Sequence, residues 1–514
     1  MFYLNVFVMV KYLKNIKIER IGYWGIGITK SDDGKKILIK WGALPGSIVD
    51  CVIKKNKKDY LEWHITKVHE YDSKYIDGEI FCPHFFSNID PNLGDNSSIE
   101  KHKIWCGWCK WQMISYPKQI ELKQEIVEDC FRKVKEKPSF LPIVASPKEK
   151  WYRNKIEFSF WVYMAAREWI ESKWNLWFHK QWEFSKIIDV DSCWLISDKA
   201  NSVFEYIKKL CFESGLSTYD QKFNRWFFRH LVIREWVNTK QLMINLAVYP
   251  LDKKDKININ NRENLKKTFK EDEFIKENIT SFVITYNDGL ADIVKWPNIS
   301  TENIIWDWYI YEKLILDWIG QEKVESTFRI SPFSFFQTNT HWAELLFQTA
   351  MNNVLEVWEI KWKILDLYCG TGSIGISFLK AGVWNSLIGI EIVEEAIQDA
   401  NYNAEINGIK DNCKFIASPS EKVLSKNPEI ENELTNIWLV IVDPPREWLH
   451  KNVVERISQL KEDNNFKLLY ISCNPSTMAR DIELFIEKWF KVKSLQAVDM
   501  FPHTHHIETV GVLV

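Results

Sequence analysis

From about residue 330 to the end, short apolar runs alternate with amphipathic stretches. Residues 364–367, 386–390, 438–442 and 468–472 are continuous apolar segments separated by stretches of helical periodicity. Runs of this length with no polar alternation predict strands buried on both faces, and their spacing by helices predicts a parallel α/β sheet. The first part of the chain has a different rhythm. Residues 17–70 read as short alternating strands with turns at Asp32-Asp33-Gly34 and Leu44-Pro45-Gly46, which predicts a small β-barrel. Between the two, 116–136 has helical periodicity, and strand-like runs such as 155–160 and 242–248 dominate from about 150 to 330. The polar Lys/Asn/Glu stretch at 252–279 reads as a solvated insertion, and no internal repeat is evident. The expected organisation is an N-terminal β-barrel over 1–74, a central mixed α+β domain over 75–328 and a Rossmann-like α/β domain over 329–514.

Length and composition agree with several soluble domains, because 514 residues exceed what one core usually organises. The net charge of −2 gives no global attraction to a polyanion. The first 70 residues differ: 13 Lys and Arg against 7 Asp and Glu leave them at +6, a basic module compatible with RNA. Residues 1–10 are apolar, but Lys11 and Lys14 cut the run short of a membrane span, and no basic segment precedes it as in a signal peptide. The expectation is a cytoplasmic monomer without membrane association, with Met9 an alternative start. Ten cysteines in so long a chain point to reduced thiols, metal ligands or a nucleophile rather than a disulfide framework.

One feature of composition is abnormal. The chain has 26 Trp and 19 Gly, whereas ordinary usage would give roughly 36 glycines. Several tryptophans stand where a turn asks for glycine: Trp24 in Gly22-Tyr23-Trp24-Gly25, Trp108 between two cysteines, Trp384 between helix and strand, and Trp448 after Asp-Pro-Pro-Arg. This pattern leads to the expectation that the gene reads UGA as glycine while the printed sequence translates it as tryptophan. UGG codons at Trp108 and Trp448 would remove that expectation.

The chemistry-bearing residues lie at the ends of the predicted strands. Asp366-Leu367-Tyr368-Cys369-Gly370-Thr371-Gly372 follows an apolar run and opens a helix, so its backbone N–H groups can approach a ligand at the sheet edge. Glu391 ends the next run, sixteen residues beyond Gly375, where a carboxylate can accept both hydroxyls of a ribose. Asp443-Pro444-Pro445-Arg446 holds a carboxylate at the mouth of the same edge on an extended loop. Cys473 ends the fifth run, ahead of a helix whose N-terminus can stabilise a thiolate. A second constellation comprises Cys82, Cys106, Cys109 and Cys193, a Cys-x2-Cys pair with two outlying thiols, and zinc is the default reading of the spacing alone.

These motifs, with Phe335-Phe336-Gln337-Thr338-Asn339 and the terminal Pro502-His503-Thr504-His505-His506-Ile507-Glu508, closely resemble the RNA uracil-5 methyltransferase family, which makes 5-methyluridine in tRNA and rRNA. The resemblance covers nearly the whole chain. It implies S-adenosyl-L-methionine as cofactor, with Gln337, Tyr368, Glu391 and Asp443 lining its site, Cys473 as nucleophile and Glu508 as base. Thiolate addition at C6 of uracil makes C5 nucleophilic, and a base must then take the C5 proton so that the thiol can leave. The target base must leave its stack to meet the thiol. The family normally has Gly where Trp448 stands. The segments around Cys82 and Cys106-Gly107-Trp108-Cys109 resemble the [4Fe–4S] site of the ribosomal branch, although the 23 residues between Cys82 and Cys106 exceed the usual gap. The N-terminal barrel resembles the TRAM domain, an OB-like RNA-binding module. Tyr152-Arg153-Asn154-Lys155 and the run from Arg229 to Arg234 are expected to help grip folded RNA. Ribosomal RNA is the expected partner, with transfer RNA or a noncatalytic RNA-binding role as the alternatives.

Overall fold

The computed structural model describes residues 12–31, 34–40, 44–57, 60–85, 106–162, 174–177, 179–180, 183–187, 192–218, 227–289, 294, 299–317, 322–355, 363–382, 384–423, 433–446 and 449–514. Met9, Asp32, Asp33, the segment 86–105 and Trp448 lie outside these residues. Among the described residues no helix is long and apolar enough to cross a membrane.

The C-terminal sheet explains why its strands are apolar throughout. It has eight strands in the order Cys413–Ala417, Ser386–Glu391, Lys363–Leu367, Ile437–Val442, Lys467–Ser472, Glu508–Leu513, Val492–Val498 and Phe140–Val144. Successive side chains on a strand point to opposite faces. Leu365, Val440, Leu468 and Tyr470 accordingly enter one core, while Ile364, Leu439, Leu469 and Ile471 enter the other. Helices cover both faces, so neither register position can be polar. The first five strands run parallel and bring their carboxyl ends to one edge. Glu508–Leu513 runs antiparallel to both its neighbours, so its amino-terminal residue, Glu508, arrives at that same edge.

Phe140–Val144 falls within the 75–328 segment, yet it is the outer strand of this C-terminal sheet. The helix Tyr116–Phe131 also packs there: Ile126 and Val127 share a core with Met478 and Ile482. A buried ion pair fastens it, with Lys123 Nζ 2.5 Å from Asp499 Oδ1 and both side chains fully enclosed. Tyr116 Oη donates to Asp499 at 3.0 Å, and Lys123 donates to the Phe501 carbonyl at 3.0 Å. Burial lowers the Lys123 pKa, and Asp499 opposes that shift. Replacing Lys123 by Met leaves a buried carboxylate without its cation and costs about 3–5 kcal/mol; urea unfolding of the two proteins checks this.

The central sheet has the strands Ser300–Trp306, Ser281–Tyr286, Leu242–Val248, Phe228–Glu235, Lys155–Val162 and Trp174–Trp177, in that order. The stretch 252–279 is not a solvated insertion. It forms the helices Lys256–Glu271 and Glu273–Asn278, which bury Leu265, Phe269 and Ile275 in the core beneath this sheet. Two apolar residues four apart sufficed for an inward stripe that the surrounding lysines and asparagines concealed. The proposed grip on RNA through Arg229–Arg234 also gives way. Arg229 and Arg234 are buried and donate to the carbonyls of Asn287, Gly289 and Ser334 at 2.7–2.9 Å, so their charges hold loops together.

The N-terminal strands Tyr12–Lys17, Arg20–Gly22, Ile26–Lys30, Lys36–Lys40, Ile48–Asn56 and Tyr60–Glu70 form a six-stranded sheet. Alternation puts Ile37, Ile39, Val49, Cys51 and Trp63 inside it. Among the described residues no ladder joins its two edge strands, Tyr12–Lys17 and Arg20–Gly22. Ile21 and Leu44 enter the same core as Trp111, Leu122 and Ile126, which docks this sheet against the C-terminal domain.

Candidate active site

The glycine loop owes its path to backbone freedom. Tyr368, Gly370 and Gly372 have φ of 65°, 54° and 80°, and the chain turns there from the strand Lys363–Leu367 into the helix Ser373–Lys380. Gly375 permits close helix–strand approach, since an added Cβ would lie 2.9 Å from Asp366 Oδ2; its N–H donates to that oxygen at 3.2 Å. The other Asp366 oxygen is buried with no partner among the described residues, and burial pushes this carboxyl up to about 8. No atom stands within 4 Å of an added Cβ at Gly370, so the loop is open on that side.

Glu391 closes the loop from the next strand. Its carboxylate accepts from the N–H groups of Gly370, Ile392 and Val393 at 3.2, 2.8 and 3.0 Å. Asp443 follows the strand Ile437–Val442, and burial pushes it up to about 7. Gln337 lies on the loop before the helix Thr340–Val354, its backbone carbonyl accepting from Asn154 at 3.0 Å. No hydrogen bond among the described residues ties its amide to the glycine loop.

Cys473 and Glu508 come together through sheet register. Ser472 is paired with Thr509 across the antiparallel ladder, so Cys473 and Glu508 are the next positions on adjacent strands. Burial pushes the Cys473 thiol up to about 12, with the Glu508 charge adding to the shift and Arg446 opposing it. The helix Pro475–Ile486 does begin here, but its N-terminus is occupied: the Asn474 side chain accepts from Ser476 and Thr477 at 3.1 and 3.3 Å. Burial therefore outweighs the expected stabilisation of a thiolate at Cys473. Burial likewise holds Glu508 well above the usual carboxylate range, with Asp443 raising it further. His505 and His506 are pushed down to about 3 and about 2 by burial, so both are neutral at pH 7.

Two residues beside Cys473 were given no role of their own by the sequence. Arg446 is the last residue of the Asp-Pro-Pro-Arg motif, and its carbonyl accepts from Asn474 at 3.3 Å. Tyr23 comes from the N-terminal sheet and donates its hydroxyl to the Cys473 carbonyl at 2.6 Å. Proximity to a motif signalled the first; nothing in a linear sequence signals the second.

Cys82, Cys106, Cys109 and Cys193 line a single cavity with Phe85, Trp108 and Trp194 among its walls. Burial raises all four thiols, and Cys109 is raised further by the other three. Among the described residues no group of three His, Cys, Asp or Glu is drawn together as a single-ion site.

Residues 307–514 match the family model described as tRNA (Uracil-5-)-methyltransferase. An uncharacterized RNA methyltransferase of Caldanaerobacter subterraneus is 32% identical over 97% of this chain and 98% of its own length. Another from Bacteroides thetaiotaomicron is 32% identical over 91% of this chain and 95% of its own. The crystal structure of the Pyrococcus abyssi tRNA (uracil-54, C5)-methyltransferase in complex with S-adenosyl-L-homocysteine shares the fold. Its TM-score is 0.66 at 23% identity, covering 97% of this chain and all of that one. Relatives matched over nearly their full length, with the family model over residues 307–514, place this chain in the RNA uracil-5 methyltransferase family.

Proposed function

We propose that the protein methylates C5 of a uridine in ribosomal RNA through a covalent adduct at C6, with Cys473 as nucleophile and Glu508 as base. The observation that carries this reading is the register that makes the two neighbours on adjacent strands at the ligand edge of the sheet. The glycine loop, Tyr368, Glu391 and Asp443 fit a nucleoside cofactor, since an open loop, a fixed carboxylate and an unpartnered Asp366 oxygen meet at one strand end. Gln337 is assigned to that cofactor site on family resemblance. S-Adenosyl-L-methionine supplies an electrophilic methyl group when bound.

The chain's own residues do the rest. The Cys473 sulfur adds to C6 of the flipped uracil, which places negative charge on C5 and O4. After C5 accepts the methyl group, Glu508 takes the C5 proton, C5=C6 re-forms and the thiolate leaves. Both groups act in their deprotonated forms, and both are raised in the resting site. The rate under kcat/KM conditions is therefore expected to rise with pH from 6 to 9. A pH–rate profile that falls over this range would contradict the assignment.

The choice of ribosomal RNA rests on the N-terminal sheet, which we read as a TRAM-like RNA-binding module, and on the four-cysteine cavity, which we assign to a [4Fe–4S] cluster. Four thiols lining one cavity supply the donor set such a cluster requires. Anaerobically isolated protein should contain iron and acid-labile sulfide in equal amounts, and Cys109→Ala should lose both; zinc alone would replace the cluster assignment. Mapping 5-methyluridine in a deletion strain tests the substrate. Loss from ribosomal RNA is expected, and loss confined to transfer RNA would transfer the assignment.

A further inference from the structure

We propose that the N-terminal sheet completes the active site, with Tyr23 as a positioning residue for Cys473. Tyr23 lies in the turn between the strands Arg20–Gly22 and Ile26–Lys30, in a module whose expected use is attachment to RNA. Its hydroxyl nevertheless donates to the carbonyl of Cys473 at 2.6 Å. The peptide group that follows the thiol is thereby held from both ends, because the Asn474 N–H donates to Ser472 Oγ at 3.1 Å. The backbone of the same turn lies against the site: a Cβ added at Gly25 would stand 3.4 Å from His505 Cβ. Burial keeps the phenol protonated, so it acts as a donor throughout the working pH range.

Removing the hydroxyl frees the Cys473 peptide to rotate, which misaligns the sulfur without removing any contact to RNA. This inference rests on Cys473 being the nucleophile. For Tyr23→Phe in the full-length protein, kcat is expected to fall about tenfold, the net worth of one good hydrogen bond. KM for RNA stays unchanged, the unfolding midpoint falls by no more than about 2–4 °C, and the adduct with RNA carrying 5-fluorouridine forms about tenfold more slowly. An unchanged kcat, or an effect on KM alone, would overturn the role of Tyr23. An active Cys473→Ala protein would instead overturn the underlying mechanism, so the two failures are distinguishable.

A separate observation concerns the polypeptide itself. We infer that the functional protein carries glycine at the positions of Trp24, Trp151, Trp306 and Trp489. Nine non-glycine residues among those described have positive φ, and these four tryptophans are among them, with φ of 67°, 54°, 54° and 68°. Tryptophan supplies 26 of 514 residues, so its share of the left-handed positions is far out of proportion. A Cβ is disfavoured in this region, and asparagine, as at Asn15 and Asn436, is the residue that tolerates it best.

The local frames name the missing residue. Trp489 follows the helix Pro475–Ile486, where its N–H donates to the Ile486 carbonyl while the Phe490 N–H reaches back to Phe485. That pair of bonds is the Schellman motif, whose left-handed position is usually glycine. Trp24 and Gly25 are successive left-handed residues in the three-residue loop between Gly22 and Ile26, where a positive φ favours glycine. None of the four residues is buried: they are 44%, 49%, 64% and 90% exposed in chain order, so core burial does not explain them. Trp342 is the contrast, fully buried with its Nε1 donating to Ser146 at 2.7 Å. Trp384 is buried against Phe378 without a positive φ, so the backbone does not extend the inference to it.

A UGA codon read as glycine accounts for the four positions while leaving UGG-encoded tryptophan at Trp342. Peptide mass spectrometry of the protein from its own cells should find glycine at all four and tryptophan at Trp342. Tryptophan at the four positions would overturn the inference. In the recombinant chain, Trp489→Gly should raise the unfolding midpoint and Trp342→Gly should lower it; a lowered midpoint for Trp489→Gly would contradict the backbone argument.

Discussion

Replacing Cys473 by Ala lowers methyl transfer by roughly 10⁴-fold or more, the scale on which enzymes lose activity when a covalent nucleophile is removed. The expectation follows from what remains: without addition at C6, C5 of uracil does not acquire the electron density needed to attack a methyl group. Cofactor binding persists in this variant, because Glu391 and the glycine loop are positioned from other strands. Stability should change little, since the thiol is only partly enclosed and fills no core position. Single-turnover transfer of labelled methyl to RNA, with calorimetric binding of S-adenosyl-L-homocysteine as a control, makes the measurement. Methylation within tenfold of the unaltered protein would remove the nucleophile from Cys473.

Glu508→Gln gives the second large effect and a different signature. Addition to C6 does not need Glu508, and the amide removes a charge that opposes thiolate formation at Cys473. In the proposed mechanism loss of the C5 proton does need it, and removal of a positioned base costs typically 10²–10⁴-fold. Turnover should therefore fall by about 10³-fold while a protein–RNA complex stable to denaturation accumulates. A slow variant that accumulates no adduct would place Glu508 outside the elimination step.

The α/β sheet was legible because its strands are buried on both faces and so carry uninterrupted apolar runs. The strands Lys363–Leu367, Ser386–Glu391, Ile437–Val442 and Lys467–Ser472 begin within a residue of the predicted limits. The site was legible for a related reason: ligands bind at the carboxyl ends of such strands, so Tyr368, Glu391, Asp443 and Cys473 could be read as strand-end residues. Glu508 is reached by an antiparallel strand, and only the family resemblance pointed to it. What was missed depends on long-range pairing. Phe140–Val144 joins a strand some 350 residues later in the chain, and the Tyr23–Cys473 bond spans 450. The misread arginines show the same limit, since Arg229 and Arg234 resemble an RNA-binding run until their carbonyl partners are seen.

The most direct test of the account is mass spectrometry of a trapped complex. Uridine with fluorine at C5 lets addition and methylation proceed but denies the base a proton to remove, so the adduct persists. Incubation of the full-length protein with S-adenosyl-L-methionine and 5-fluorouridine-containing ribosomal RNA, followed by nuclease and protease digestion, should yield one modified peptide. The account predicts a methylated fluorouridine joined to Cys473. An adduct on another cysteine, or efficient methylation of uridine in the same RNA with no adduct at all, would contradict it.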